Sequence, residues 1–525
     1  MKKKIILIGF CLVGGILSAQ NLTDGLRYSM EELDGTARFK AMSGAFTSLG
    51  GDLSAISINP AGSTIFAGGE ISVTIANNNT KNAGTRTINS SDFSFSQFGI
   101  AVPVPIGNEG WKNIAFGFNY QQTHNFTPQD IHYSGPSNKN LGDYFQYYAS
   151  GIEQENLMLV EYGADKRPSR RWRLDNLYSA YGQAVRFSPF KLRNALLGYT
   201  AGLIKPQSGK TAIDPSMTDT EANAVKNETT YVSNVSGTTF QNIERYTEGG
   251  VNRYNFNFAA RYDIFSFGIN LNSHNVDYRE VTRHRENYLN NTASGVRSAY
   301  FQNELKTTGS GFSLQLGAIA KIAEGVRIGL SYTSPTWYNL QDETTQSLRV
   351  TTESNGDFWA NPNVVAVYDR YRFRTPASWT VGASWVWNKS LILSGDYMYK
   401  GYGKIHYSSD NLKSENSIIQ QTLGDTSTLR FGAEYRFLVN NKLNLFLRGG
   451  YRYQQSPYKG DEKYIGNLNG FSTGTGIAFK GMRFDLSYDI AKQDHQPQFY
   501  ESVLTSSAKF ERTYQNLLFS FSFKF

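Results

Sequence analysis

Six histidines, His124, His132, His274, His284, His406 and His495, are the side chains of this 525-residue sequence best suited to metal or acid–base chemistry. All fall in segments read as loops or strand ends, and none has a partner at a metal-binding spacing. In GSGFSLQLG (309–317) Ser313 follows Gly311 by two, but Gln315 stands where a nucleophile elbow needs its second glycine, and no helix follows. GTGIAFKG is glycine-rich but lies in a strand pattern, so it is not a phosphate loop. No catalytic set, metal site or cofactor box is expected, and a lipid hydrolase would need residues that converge only in space.

Recognition of an anion is better supplied. Arg430, Arg436 and Arg448 recur at even positions among alternating residues, and a guanidinium not already paired could attract a substrate carboxylate. The competing expectation is that these arginines only brace the interior through ion pairs, and the sequence does not rank the three.

Their placement follows from strict period-two alternation, which puts successive side chains on opposite faces of a strand. The chain closes on NLLFSFSFKF (516–525), with Phe519, Phe521, Phe523 and Phe525 on one face and Ser520, Ser522 and Lys524 on the other. Segments of about ten residues, the length of a tilted membrane-crossing strand, repeat this pattern from residue 71. Fourteen are read: near 71–78, 91–104, 112–123, 253–263, 264–276, 311–322, 326–335, 377–387, 391–400, 428–438, 442–454, 470–479, 482–491 and 513–525. The second changes phase between Phe95 and Phe98, as a β-bulge requires. Parity sends Trp379, Val381, Trp385, Leu393, Tyr397, Leu445, Leu447, Phe484, Leu486 and Tyr488 to one face. Arg327, Asp396, Lys400, Arg430, Glu434, Arg436, Arg448, Asp485 and Asp489 share the other.

Short connections (near 105–111, 263–264, 323–325, 388–390, 439–441 and 480–481) alternate with long ones (79–90, 124–252, 278–310, 336–376, 401–427, 455–469 and 492–512). Loop lengths sorted by side mark an outer-membrane β-barrel with short periplasmic turns; a soluble β-sandwich or propeller has no reason for it. The long 124–252 insertion holds two strand-like runs, SAYGQAVRF and NALLGYTAGLI. They either raise the count to sixteen or, as we read them, pack in an outer domain.

Composition agrees with a barrel. Hydrophobic residues are 40% and aromatics 14%, with 49 glycines, yet mean hydropathy is −0.43, because each strand hides an apolar half behind a polar one. The formal charge of +8, three units of it from Lys2, Lys3 and Lys4, forms no basic stripe and argues against nucleic acid. The N-terminal MKKKIILIGFCLVGGILSAQ reads as a signal peptide cleaved after Ala19. The only cysteine, Cys11, would leave with it, so no disulfide is expected.

Between that leader and the first strand, DGTARFKAMSGAFTSLGGDLSAISINPAGSTIFAGG (34–69) does not alternate. Phe39, Met42 and Phe46 fall at helical spacing; they either pack a short helix or contact a ligand. Asn59-Pro60 is a turn that would end a helix. A segment rich in Gly and Ala at this end suits a plug inside the barrel.

GDLSAISINPAG (51–62) resembles the N-terminal hatch of the FadL/TodX family of outer-membrane transporters for long-chain fatty acids and hydrocarbons, with Asn59, Pro60 and Ala61 matching its Asn-Pro-Ala motif. The likeness continues in GVRIGLSYTSPTWY (325–338), TPASWTVGASWVWNKSLILSGDYMY (375–399), LRFGAEYRF (429–437), LRGGYRYQQSP (447–457) and TGTGIAFKGMRFDLSYDI (473–490). The resemblance implies an all-β fold: a fourteen-stranded antiparallel transmembrane barrel, residues 69–525, plugged by residues 20–68, in the outer membrane of a Gram-negative bacterium. It implies a monomer, a hydrophobic small molecule or fatty acid as ligand, and exit of that ligand into outer-membrane lipid beside a kinked third strand, where Gly117 would permit the kink. The terminal aromatic residue resembles the signal read by the barrel insertion machinery. Phe39, Met42 and Phe46 would line the plug side of the ligand site. The 124–252 insertion departs from the family pattern. It motivates a second expectation, a protein-binding barrel resembling the FadL-like shuttle proteins of the type IX secretion system.

Overall fold

In the computed structural model, the structure describes residues 22–525 except 85, 128, 158–189, 212–215, 237, 289–294, 354–355, 363, 441–442, 461–463, 501–502, 505–506 and 508. The leader, Cys11 and SAYGQAVRF lie outside these residues. Among those described, fourteen antiparallel strands close into a barrel: β1 (Glu70–Ala83), β2 (Ile88–Pro105), β3 (Trp111–Asn125), β4 (Thr239–Tyr262), β5 (Phe265–Asn287), β6 (Val296–Ala323), β7 (Val326–Thr333), β8 (Ser378–Trp387), β9 (Leu391–Gly401), β10 (Asp425–Asn440), β11 (Leu443–Gln454), β12 (Ile465–Phe479), β13 (Met482–His495) and β14 (Phe510–Lys524). Each pairs with its neighbour, and β14 returns to β1 in the register Ile71↔Phe523 to Ala83↔Glu511. No helix among the described residues is long and apolar enough to cross a membrane.

The parity reading holds on both faces. Phe519, Phe523, Trp379, Val381, Leu447 and Leu486 are exposed on the outside, while Ser520, Ser522, Asp396, Glu434, Arg448, Asp485 and Asp489 are buried within. The small inner side chains let the plug approach: the Ala37 N–H donates to Ser520 Oγ at 2.7 Å. The phase change in β2 is a bulge at Ser96, where Thr74↔Gln97 gives way to Ile75↔Phe95. The bulge frees the Ser96 hydroxyl to donate to Asp34 Oδ1 of the plug at 2.6 Å.

Two expectations are corrected. The stretches 79–90, 278–310 and 336–376 are largely not loops. Ladders continue outward to Asn82↔Ile88 and Phe240↔Asn287, and Trp337–Thr352 pairs with the outer half of β6. Apolar alternation ends where the bilayer ends, but main-chain pairing has no need of lipid, so the strands persist once their outward residues turn polar. NALLGYTAGLI is not strand-like either: most of it belongs to a helix, Lys191–Thr200. That helix packs on another, Leu141–Ala149, so closely that a Cβ on Gly198 would overlap Phe145. Both bury Leu196, Leu197, Tyr144 and Phe145 against Phe301, Leu348 and Val350 of the raised strands. The insertion thus forms an outer cap; its strand Ile131–Ser137 pairs with the raised part of β4 (Ile131↔Arg245 to Ser137↔Thr239) without joining the fourteen strands that close the barrel.

Candidate functional site: a plugged lumen and the cavity above it

The plug is seated by the Asn-Pro-Ala turn. Asn59 precedes a 3-10 turn, Pro60–Ile65, and its Oδ1 accepts the Ala61 N–H at 3.1 Å. Its Nδ2 donates to the carbonyls of Thr47 (2.7 Å), Ala318 (3.1 Å) and Leu330 (3.3 Å), tying plug to wall. The wall answers with glycines. A Cβ at Gly317 would overlap Asn59, one at Gly268 would overlap Pro60, and Cβ atoms at Gly432 and Gly450 would lie 2.7 and 2.6 Å from Met42 backbone atoms.

Charges lock the same contact. Arg38 of the plug donates twice to Glu434, at 2.8 and 3.0 Å. Arg448 bridges Glu434 (2.6 Å) and Asp485 (2.8 Å), and Arg483 joins Asp485 (2.8 Å) to Glu70 (3.3 Å). Arg452 forks onto Asp489, and Asp396 accepts both the N–H (3.0 Å) and the hydroxyl (2.7 Å) of Thr47. Buried charges persist only when paired in this way.

The structure separates the sequence candidates. Phe39, Met42 and Phe46 pack with Leu49 and Ala55 in a small closed core, the two rings 5.4 Å apart. They form the interior of the plug and do not line the large cavity. The helix under them spans only Ala37–Ala41. Arg448 is an ion-paired brace. Arg436 lies near the short β8–β9 connection, its N–H donating to the Ser390 carbonyl, away from the cavity. Arg430 does line the cavity; it stands directly across from Asp396 and Arg452, with Nη1 buried and without a hydrogen-bond partner.

That cavity, about 1000 Å³, lies above the plug core, at the upper end of the range for ligand pockets. Its plug side comes from Leu22 to Asp34, with Met30 and Leu33 among the apolar contacts. The raised strands, the cap and the outer loops add Phe126, Tyr148, Phe190, Tyr278, Phe499 and Tyr500. Sequence reasoning missed these residues; the Tyr-rich composition of the insertion was the one signal of the cap's share. Glu31 anchors the plug's N-terminal strip, 3.2 Å from Arg253 and 3.8 Å from Lys400. Desolvation inside the barrel works against its charge, although its side chain is open to the cavity, but Lys400 and Arg253 outweigh this and hold its carboxyl down at about 2.

Gly117 does not kink β3. It is paired on both sides, with Ala101 and with Asn257, and its missing side chain makes room for Ile56 of the plug. The irregularity lies higher. The β2–β3 ladder stops at Gln97↔Gln121, although β2 continues outward to Ile88 and β3 to Asn125. Above that point the seam is held by Asn125 Nδ2 donating to Asp92 Oδ2 at 2.9 Å and by the stacked rings of Phe95 and Tyr120. Gln122 and Asn125 border the cavity there.

Several histidines also sit differently from expectation. His274 and His284 lie within β5 and face inward. His274 Nε2 is 2.9 Å from Ser313 Oγ, but both are buried in the wall and the neighbouring pocket is about 10 Å³, room for one water. Among the described residues, no group of three or more His, Cys, Asp or Glu is placed to hold a metal.

Residues 233–493 match the model of a family described as outer membrane protein transport protein (OMPP1/FadL/TodX). No curated protein matches the chain. Among solved structures, a Pseudomonas aeruginosa FadL homologue aligns at 13% identity and a TM-score of 0.48, over 94% of this chain and 98% of its own. The Pseudomonas putida toluene transporter TodX aligns at 14% and 0.44, over 95% and 100%. The Ralstonia pickettii toluene transporter TbuX aligns at 14% and 0.45, over the same shares.

Proposed function

Because the chain belongs to the OMPP1/FadL/TodX family of outer-membrane transport proteins, we propose that it is a passive outer-membrane channel for a hydrophobic acid, a long-chain fatty acid or similar. The observation that carries this reading is the cavity itself: an aromatic, partly polar chamber above a sealed plug, with Arg430 unpartnered at its wall. An apolar chain would lie against Met30, Leu33 and Phe126, and its carboxylate would meet Arg430. Downward passage is blocked by the Asn59 seat and the glycine contacts. The short way out is sideways, through the unladdered β2–β3 seam, beside which Phe93 and Phe95 face outward. Lateral release is physically economical, since a greasy ligand sent through water would lose the solvation it gains in the bilayer.

The test is mass spectrometry of apolar compounds copurified with the detergent-solubilised protein. Acids held by the intact protein and lost from Arg430→Ala support the reading. Neutral aromatic hydrocarbons held equally by both would remove the role of Arg430. An empty cavity with a copurifying protein would replace the channel with a protein-binding barrel.

A further inference from the structure

The outer wall of the barrel rises far above its apolar band. On β5 the outward parity runs Phe267, Leu271, then Arg279, Arg283 and Arg285; Trp337 is followed on the same face by Arg349. The opposite face of these raised strands is covered by the cap, which buries Phe301, Leu348 and Val350. The outward face therefore stands in whatever surrounds the protein just beyond the lipid.

One register row crosses five neighbouring strands on this face: Asn242 on β4, Arg285 on β5, Tyr300 on β6, Arg349 on Trp337–Thr352, and Trp359 on Gly356–Ala360. Guanidinium and ring alternate along it. The Arg285 guanidinium lies 5.5 Å over the Tyr300 ring, and in the rows below Arg283 lies 5.0 Å over Tyr246. Arg349 is paired with Asp357 and Arg283 stands across from Glu244 in register, while among the described residues Arg285 has no carboxylate within ion-pair distance. Trp359 is 59% exposed, although it lies well beyond the lipid-facing Trp337. Tyr246, Tyr300 and Trp359 with the guanidinium groups laid over or beside them form one contiguous aromatic and cationic patch on this face, and a contiguous patch of this kind marks a ligand surface.

We propose that this face binds the phosphorylated sugar chain of lipopolysaccharide in the outer leaflet. The proposal rests on the outer-membrane reading of the barrel. Tyr300 and Trp359 stand two strands apart, about 10 Å, close to the length of a disaccharide, so alternate sugar rings can stack on them. Arg283 and Arg285 supply planar donors for phosphate or sugar-acid groups. The position fits the source, because sugar chains of the outer leaflet begin where the apolar band ends.

The experiment uses the full-length protein in nanodiscs of zwitterionic phospholipid, with phosphorylated core oligosaccharide released from lipopolysaccharide as the probe. The oligosaccharide has no acyl chains and cannot occupy the lumen as a fatty acid would. Saturable binding is expected, weakened by about tenfold or more in Trp359→Ala and in the double variant Arg283→Ala/Arg285→Ala. Enzymatic dephosphorylation should weaken binding to the parent and leave little further loss in the double variant. Undetectable binding to the parent, or equal binding to parent and variants, overturns the proposal. So does equal affinity for phosphatidylglycerol vesicles without sugar, or a dimer that buries Trp359. Heat-modified gel mobility on the same samples establishes that the variants are folded. Fatty-acid retention, measured in parallel, fails or holds independently, which separates this proposal from the channel reading.

Discussion

The side-chain oxygen of Asn59 lies in the space that a Cβ on Gly317 would need. Plug and wall are therefore matched at one point: the amide fills the gap that the glycine leaves, and its Nδ2 ties three backbone carbonyls from both partners. Asn59→Ala should cost about 1–3 kcal/mol from stranded buried acceptors, and Gly317→Ala should unseat the plug sterically. Both variants should raise ion conductance in planar bilayers and expose residues 35–66 to protease. Conductance equal to the parent's in both would mean that the seal lies elsewhere.

Arg448 and Arg430 should part company experimentally. Arg448 holds Glu434 and Asp485 inside the barrel, so Arg448→Met should destabilise by about 3–5 kcal/mol by leaving buried carboxylates short of a partner. Arg430 has no hydrogen-bonded partner to strand, so Arg430→Met should leave stability near the parent's while weakening retention of an acid ligand about tenfold or more. Heat-modified gel mobility reads the first effect, and ligand mass spectrometry the second.

Strand positions and lumen parity were legible because the bilayer imposes period-two alternation on every spanning segment, and even the Ser96 bulge showed as a phase change between Phe95 and Phe98. The ladders above the bilayer were not, since residues such as Arg283, Gln302 and Ser347 carry no apolar signal. Phe39, Met42 and Phe46 show the limit for sites. Their spacing fits a packed core as well as a ligand wall, and only the closed contact between them tells the two apart. Arg430 and Arg448 have the same parity and residue type, and differ only in the partners that other strands bring.

Glu31 gives the plug's N-terminal strip a dependence on acid. Its carboxyl is held at about 2, below the ordinary 4.5, by Lys400 and Arg253 against desolvation inside the barrel. The folded form thus binds fewer protons than the released form, so this anchoring is fully present above about 4.5 and is lost as pH falls toward about 2. Hydrogen exchange of residues 22–33 should accelerate across that window relative to residues 35–66. In Glu31→Gln the exchange should be faster at neutral pH and flat through the window. An unchanged acid response in Glu31→Gln would assign it to another group.

The last test concerns the exit. Above Gln97↔Gln121 no main-chain pairing joins β2 to β3, and the seam depends on the Asn125–Asp92 hydrogen bond and the Phe95–Tyr120 contact. A hydrogen bond between the tips of Asp92 and Asn125 leaves their Cβ atoms farther apart than a disulfide spans, so a short reducible dithiol-specific cross-linker joining Asp92→Cys to Asn125→Cys should pin the seam. Ligand should still load into the cavity, because the lining from Leu22 to Asp34 is untouched, but transfer into liposome bilayers should slow and recover on reduction. Single-residue Asp92→Ala should act oppositely and speed release, since it removes a tie without adding one. Transfer that is unchanged in both the cross-linked pair and Asp92→Ala would place the exit away from this seam.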